Sequence, residues 1–93
     1  MTARLDQVST PPHILVVDDD RRLRELLQKF LVENGYMVTT VEDAEQARAR
    51  LKGLTFDLIV LDVMMPGESG LELTQSLRAN NDVPILLLSA MGE

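Results

Sequence analysis

The stretch Phe56-Asp57-Leu58-Ile59-Val60-Leu61-Asp62-Val63-Met64-Met65-Pro66-Gly67 constrains this chain more than any other. Leu58 to Leu61 are apolar without alternation, the pattern of a strand buried on both faces. Pro66-Gly67 cannot continue such a strand, so Asp62 stands where a central strand leaves its sheet. His13-Ile14-Leu15-Val16-Val17-Asp18-Asp19-Asp20 repeats the design, an apolar run that ends in acid. If the two strands lie side by side and parallel, Asp18, Asp19 and Asp62 meet at one end of the sheet. In open α/β sheets that end, at the point where strand order reverses, is where ligands bind.

The rest of the chain supplies what such a sheet needs. After the first strand, Ile14 to Val17, the residues Leu23, Leu26, Leu27, Phe30 and Leu31 form the apolar stripe of an amphipathic helix. Asp20 is placed to cap its N-terminus and Gly35 to follow its C-terminus. Met37 to Val41 reads as a second strand, polar enough at Thr39 and Thr40 for a sheet edge. Asp43-Ala44-Glu45-Gln46 has the spacing of a capping box and opens a second helix with Ala44, Ala47 and Leu51 on one face, closed by Gly53. Leu58 to Leu61 is the third strand. Ser69-Gly70-Leu71-Glu72 is a further capping box, opening a third helix to about Ala79, and Pro84 introduces a fourth strand, Ile85 to Leu88, that ends at Ser89. The order β-α-β-α-β-α-β with short connections implies right-handed crossovers and a parallel sheet covered on both faces. Residues 1–12 hold Ser9-Thr10-Pro11-Pro12 and no periodicity, and read as a flexible tail before a single domain over residues 13–93. His13, the sole histidine, reads as a solvated strand-end residue.

Composition narrows the function classes. A chain of 93 residues carries one modest core. Without cysteine it has no disulfide and no thiolate metal ligand. No apolar run reaches the length of a membrane span, and the polar N-terminus is no secretory signal, so the expected location is cytoplasmic. A net charge of −6 argues against direct binding of nucleic acid.

With the acidic pair Asp18-Asp19, the central Asp62 before Met-Met-Pro-Gly and the strand-terminal Ser89-Ala90 at matching spacings, residues 14–93 resemble the receiver domain of two-component response regulators. The stretches Asp18 to Arg24 and Met65 to Leu71 look like the branch that carries a winged-helix DNA-binding domain. The resemblance implies a flavodoxin-like, doubly wound sheet of order 2-1-3-4. Receivers have five β/α units, and these 93 residues stop after the fourth strand. The chain therefore reads as a C-terminally truncated receiver without the fourth helix, the fifth strand or the fifth helix. The family's strand-five lysine would be missing too, and neither Lys29, late in the first helix, nor Lys52, at the end of the second, stands where it could replace it.

Clustered carboxylates raise one another's pKa unless a cation sits among them, and an all-oxygen set selects a hard ion, by default Mg²⁺. By resemblance, Asp19 and Asp62 ligate it directly, Asp18 acts through water, and the Met64 backbone carbonyl adds a ligand. Asp62 would then accept a phosphoryl group from a sensor histidine kinase or a small acyl phosphate. Ser89 would bind a phosphoryl oxygen, with Ala90 beside it in the switch. The implied role is a phosphoacceptor in signal transduction and transcription control, not an enzyme. Taken singly the residues are bland: Asp20 is a better helix cap than a ligand, Asp18-Asp19 fits a solvated turn, and Met64 and Met65 fit a loop.

Other readings compete. A haloacid-dehalogenase-like phosphotransferase also places a nucleophilic Asp after its first strand, and Asp18-Asp19-Asp20 fits its Asp-x-Asp motif. That family wants Thr or Val where Arg22 stands. A flavin-binding module would need a phosphate loop after the first strand, which is lacking. The remaining alternative is an inert folding fragment. A fourth strand left at the sheet edge further implies self-association, through that edge or by exchange of elements.

Overall fold

The computed structural model describes residues 10–89. In chain order the elements are β1 (His13–Val17), α1 (Arg21–Glu33), β2 (Met37–Val41), α2 (Ala44–Gly53), β3 (Leu58–Asp62), α3 (Gly70–Leu77) and β4 (Ile85–Leu88). The strands form one parallel sheet of order β2-β1-β3-β4. The flavodoxin-like order 2-1-3-4 is thus observed, with the polar β2 at one edge.

Strand parity divides the apolar residues between two layers. Leu15, Val17, Ile59 and Leu61 point to one face and pack with Ala44 and Ala47 of α2 and Leu73 and Leu77 of α3. Ile14, Val16 and Val60 point to the other, where Leu27 and Leu31 of α1 cover them. Alternate residues of a strand face opposite ways, so apolar runs without alternation feed both layers. The layers are unequal. α3 has only eight residues, too few to stand alone, and is anchored by the fully buried Leu73. α1 is longer, yet none of its residues is buried.

The helix ends follow side-chain chemistry. Asp20 caps α1 by accepting from the Arg22 and Leu23 amides, and Gly35 past its end has φ +93°. Asp43 accepts from the Gln46 amide, but the Gln46 side chain returns to the Glu42 amide, not to Asp43, so that box is displaced by one residue. At α3 the box closes as expected, with Ser69 and Glu72 reciprocal. α3 ends at Leu77, two residues short of the expected Ala79.

Four further expectations change. Leu26 and Phe30 are 64% and 59% exposed, because, of the apolar stripe, Leu27 and Leu31 pack on the sheet, while Leu23 is half-buried at the acidic cleft. Met65 is not a plain loop residue, since it is buried in the α2–α3 layer. His13 is half-buried, its Nε2 is 2.7 Å from Thr39 Oγ1, and its ring lies 4.5 Å from that of Phe56. Pro12, assigned to the tail, accepts the Met37 amide at 2.9 Å and so extends the sheet edge. Residues 1–9 and 90–93, Ala90 among them, lie outside the described residues.

Candidate functional site

The carboxylates converge because register and parity agree. Val17 pairs with Leu61, so the next residues, Asp18 and Asp62, leave the sheet side by side. Both continue the rows Ile14-Val16 and Leu58-Val60, which face α1. Asp62 in turn pairs with Leu88, which brings Ser89 to the same end. One carboxylate oxygen from each of Asp18, Asp19 and Asp62 lies within 4.8 Å of the other two. The three line a cleft of about 540 Å³ together with Leu27, Met64 and Ser89.

Each acid is held differently. Asp18 is buried, with 3% of its surface exposed. Its Oδ1 accepts the Asp20 amide at 2.8 Å, and its carbonyl accepts from Arg24 Nη1 at 2.9 Å. Burial pushes its pKa up, and the Asp62, Asp19 and Asp20 carboxylates push the same way against the Asp20 amide. Asp19 is exposed. Asp62 is half-buried, and its Oδ1 accepts the Met64 amide at 3.0 Å. Asp20 turns its side chain to the helix cap, as expected of a cap and not of a ligand.

These donors fit a small hard cation. A buried carboxylate beside two others is costly unless positive charge offsets it. Two oxygens that both touch Mg²⁺ at 2.0–2.1 Å stand at most about 4.2 Å apart. A cluster whose oxygens all lie within 4.8 Å of one another is on the scale that such an ion would bridge, directly or with one carboxylate acting through water.

Two residues around the site escaped the sequence reading. Gly70 opens α3 directly against the end of β3, where a Cβ would lie 2.1 Å from the Asp62 carbonyl oxygen. The signal was available, as a glycine at the first turn of a helix that has its own cap, but the partner is invisible without the fold. Arg24 holds the Asp18 carbonyl from one turn into α1, and nothing in its spacing distinguishes it from its neighbours Arg21 and Arg22.

A family model described as the response regulator receiver domain matches residues 14–93. Protein PetR of Rhodobacter capsulatus is 62% identical over 85 residues, which cover 91% of this chain and 36% of that protein. The transcriptional regulatory protein ResD of Bacillus subtilis is 41% identical over 80 residues, covering 86% of this chain and 33% of ResD. The chain thus spans about a third of the length of these relatives. Among solved structures, the response regulator TrrA of Thermotoga maritima in complex with Mg²⁺ and BeF superposes with a TM-score of 0.81 at 43% identity, covering 87% of this chain and 71% of that one. TrrA in complex with the histidine kinase ThkA superposes with a TM-score of 0.81 at 42% identity, covering 88% and 72%.

Proposed function

This chain belongs to the response regulator receiver domain family, and on that footing we propose that it accepts a phosphoryl group on Asp62 from a sensor histidine kinase. The single observation that carries the reading is the meeting of Asp18, Asp19 and Asp62 at the adjacent ends of β1 and β3. Asp19 and Asp62 would hold Mg²⁺ directly, with Asp18 behind a water and the Met64 carbonyl as a further ligand. When bound, the ion would offset charge on the phosphoryl oxygens. An Asp62 carboxylate oxygen attacks phosphorus, the P–N bond to the donor imidazole breaks, the ring leaves with its electron pair and takes a proton from solvent, and an acyl phosphate remains. The Met64 amide on Oδ1 fixes the carboxylate for that attack. Ser89, at the mouth of the same cleft, would donate to a phosphoryl oxygen, with Ala90 following it.

The kinase partner is supported by the TrrA–ThkA complex, and the metal by the Mg²⁺–BeF complex of TrrA. Transcription control would belong to the remaining length of relatives such as ResD. DNA contact is assigned there and not to these acidic residues. A cytoplasmic location fits this role, and among the described residues no helix is long and apolar enough to cross a membrane. With β4 at the sheet edge and Leu86 53% exposed, self-association through that strand is part of the same proposal.

The test is acetyl phosphate with Mg²⁺, read by intact mass and peptide mapping. One phosphoryl group on the Asp62 peptide is expected, gained slowly because these 93 residues contain no lysine at the site. The label should vanish in Asp62→Asn. A label that persists in Asp62→Asn would overturn the assignment.

A further inference from the structure

Residues 63–69, between β3 and α3, carry Met64, whose amide holds the Asp62 carboxylate. Three of their ties are local. The Met64 amide donates to Asp62, the Gly70 amide donates to the Val63 carbonyl at 3.0 Å, and Ser69 shares its capping box with Glu72. Met65 adds an apolar anchor in the core. A cleft of about 230 Å³ separates the outer part of the loop, Pro66 to Glu68, from the start of α2.

One side chain spans that gap. Arg48 of α2 donates from Nη1 to Glu68 Oε1 at 2.5 Å and from Nη2 to Glu68 Oε2 at 2.6 Å. The same Nη2 lies 2.7 Å from Ser76 Oγ in α3. A single planar guanidinium therefore joins α2, the loop and α3. Among the described residues, Arg48 makes all the side-chain hydrogen bonds between α2 and the segment 63–77. Both partners are partly shielded, with side chains 39% and 29% exposed. The fork holds the Glu68 carboxyl below its usual range. Bidentate geometry of this kind fixes orientation as well as charge, which a lysine cannot do.

Arg48 lies in the α2–α3 layer, on the opposite side of the sheet from the row that Asp18 and Asp62 continue, so it does not touch the site. We propose that Arg48, through Glu68, is a positioning residue that sets the loop carrying Met64 and thereby the metal affinity and acceptor rate of Asp62. The inference rests on the phosphoacceptor reading above. Groups held within fractions of an ångström by their supporting contacts lose function when those contacts go.

The experiment is a Mg²⁺ titration of the 93-residue chain, followed by amide shifts, beside the acetyl phosphate labelling rate. Arg48→Gln should weaken Mg²⁺ about tenfold, the scale at which outer supporting contacts tune metal sites, and slow labelling in step. Arg48→Lys should recover only part of the loss. The exchanged pair Arg48→Glu with Glu68→Arg should regain most of that tenfold loss. Glu68→Gln, which keeps an acceptor for Arg48, should fall between. A merely structural tie would lower the melting temperature of Arg48→Gln and leave Mg²⁺ affinity unchanged, and that result would overturn the proposal. A wild-type Mg²⁺ affinity indifferent to Asp62→Asn would instead sink the site itself.

Discussion

Gly70 and Asp18 are both tightly constrained. A Cβ at position 70 would sit 2.1 Å from the Asp62 carbonyl oxygen, which is backbone and cannot turn aside. Gly70→Ala should therefore cost roughly 1–3 kcal/mol, the range for overpacking, and shift the amide signals of Asp62 and Val63. Urea unfolding and an amide spectrum check both. Asp18→Asn should act the other way and raise the melting temperature without metal, while abolishing the gain from Mg²⁺. The pH dependence follows from the raised Asp18 pKa. Its charge burdens the fold fully above the folded pKa, and the burden lifts as pH falls toward 3.8, so the gap between wild type and Asp18→Asn should close in acid. Glu68, held low, does the reverse. Its stabilisation is full above pH 4.5 and is lost as pH falls through its folded pKa. The acidic residues themselves were readable from their strand-end positions. The Arg48–Glu68 fork was not, because 20 residues separate the pair and neither has a pattern of its own.

At the scale of elements, the two helical layers should differ sharply under mutation. Leu73→Ala in α3 should cost about 2–5 kcal/mol, as for a buried leucine. Phe30→Ala in α1 should cost no more than about 0.5 kcal/mol, because that ring is 59% exposed. Paired urea melts decide it, and equal losses would mean that the α1 stripe is buried after all. Periodicity alone ranked Phe30 with the core residues. A stripe read on a helix says which side is apolar, not how wide a surface covers it. Strand existence and capping were legible because each has a local cause: Pro84 before β4, Ser69 before α3, Asp20 before α1. The displaced box at Asp43 was not, since the choice between Asp43 and Glu42 depends on how the chain leaves β2.

At the scale of the whole molecule, β4 governs association. Leu86 and Leu87 are 53% and 37% exposed on a strand that, among the described residues, has only β3 beside it, and unpaired edges of this sort template pairing with another chain. The 93-residue chain is therefore expected to sediment as a dimer or larger species at high micromolar concentration. Leu86→Lys, which places charge on that edge, should return it to monomer. A compact wild-type monomer across the range would contradict this. The strand order came from family resemblance, since alternation of strands and helices fixes a parallel sheet but not which strand lies at the edge.

The register that joins β1 to β3 also has a kinetic meaning. Asp18 and Asp62 are as far apart along the chain as His13 and Asp57, whose 44-residue separation is closed by a hydrogen bond at the other end of the same strand pair. The unfolded chain has no such cluster, so a cation bound there is held by the native state alone. At a hundredfold its Kd it would add about 2.7 kcal/mol. Contacts absent from the transition state act on the unfolding limb, and a cluster that needs two crossovers complete belongs among the late ones. In stopped-flow experiments Mg²⁺ should slow unfolding and leave refolding nearly unchanged, so that the ion serves as a latch on a chain already folded.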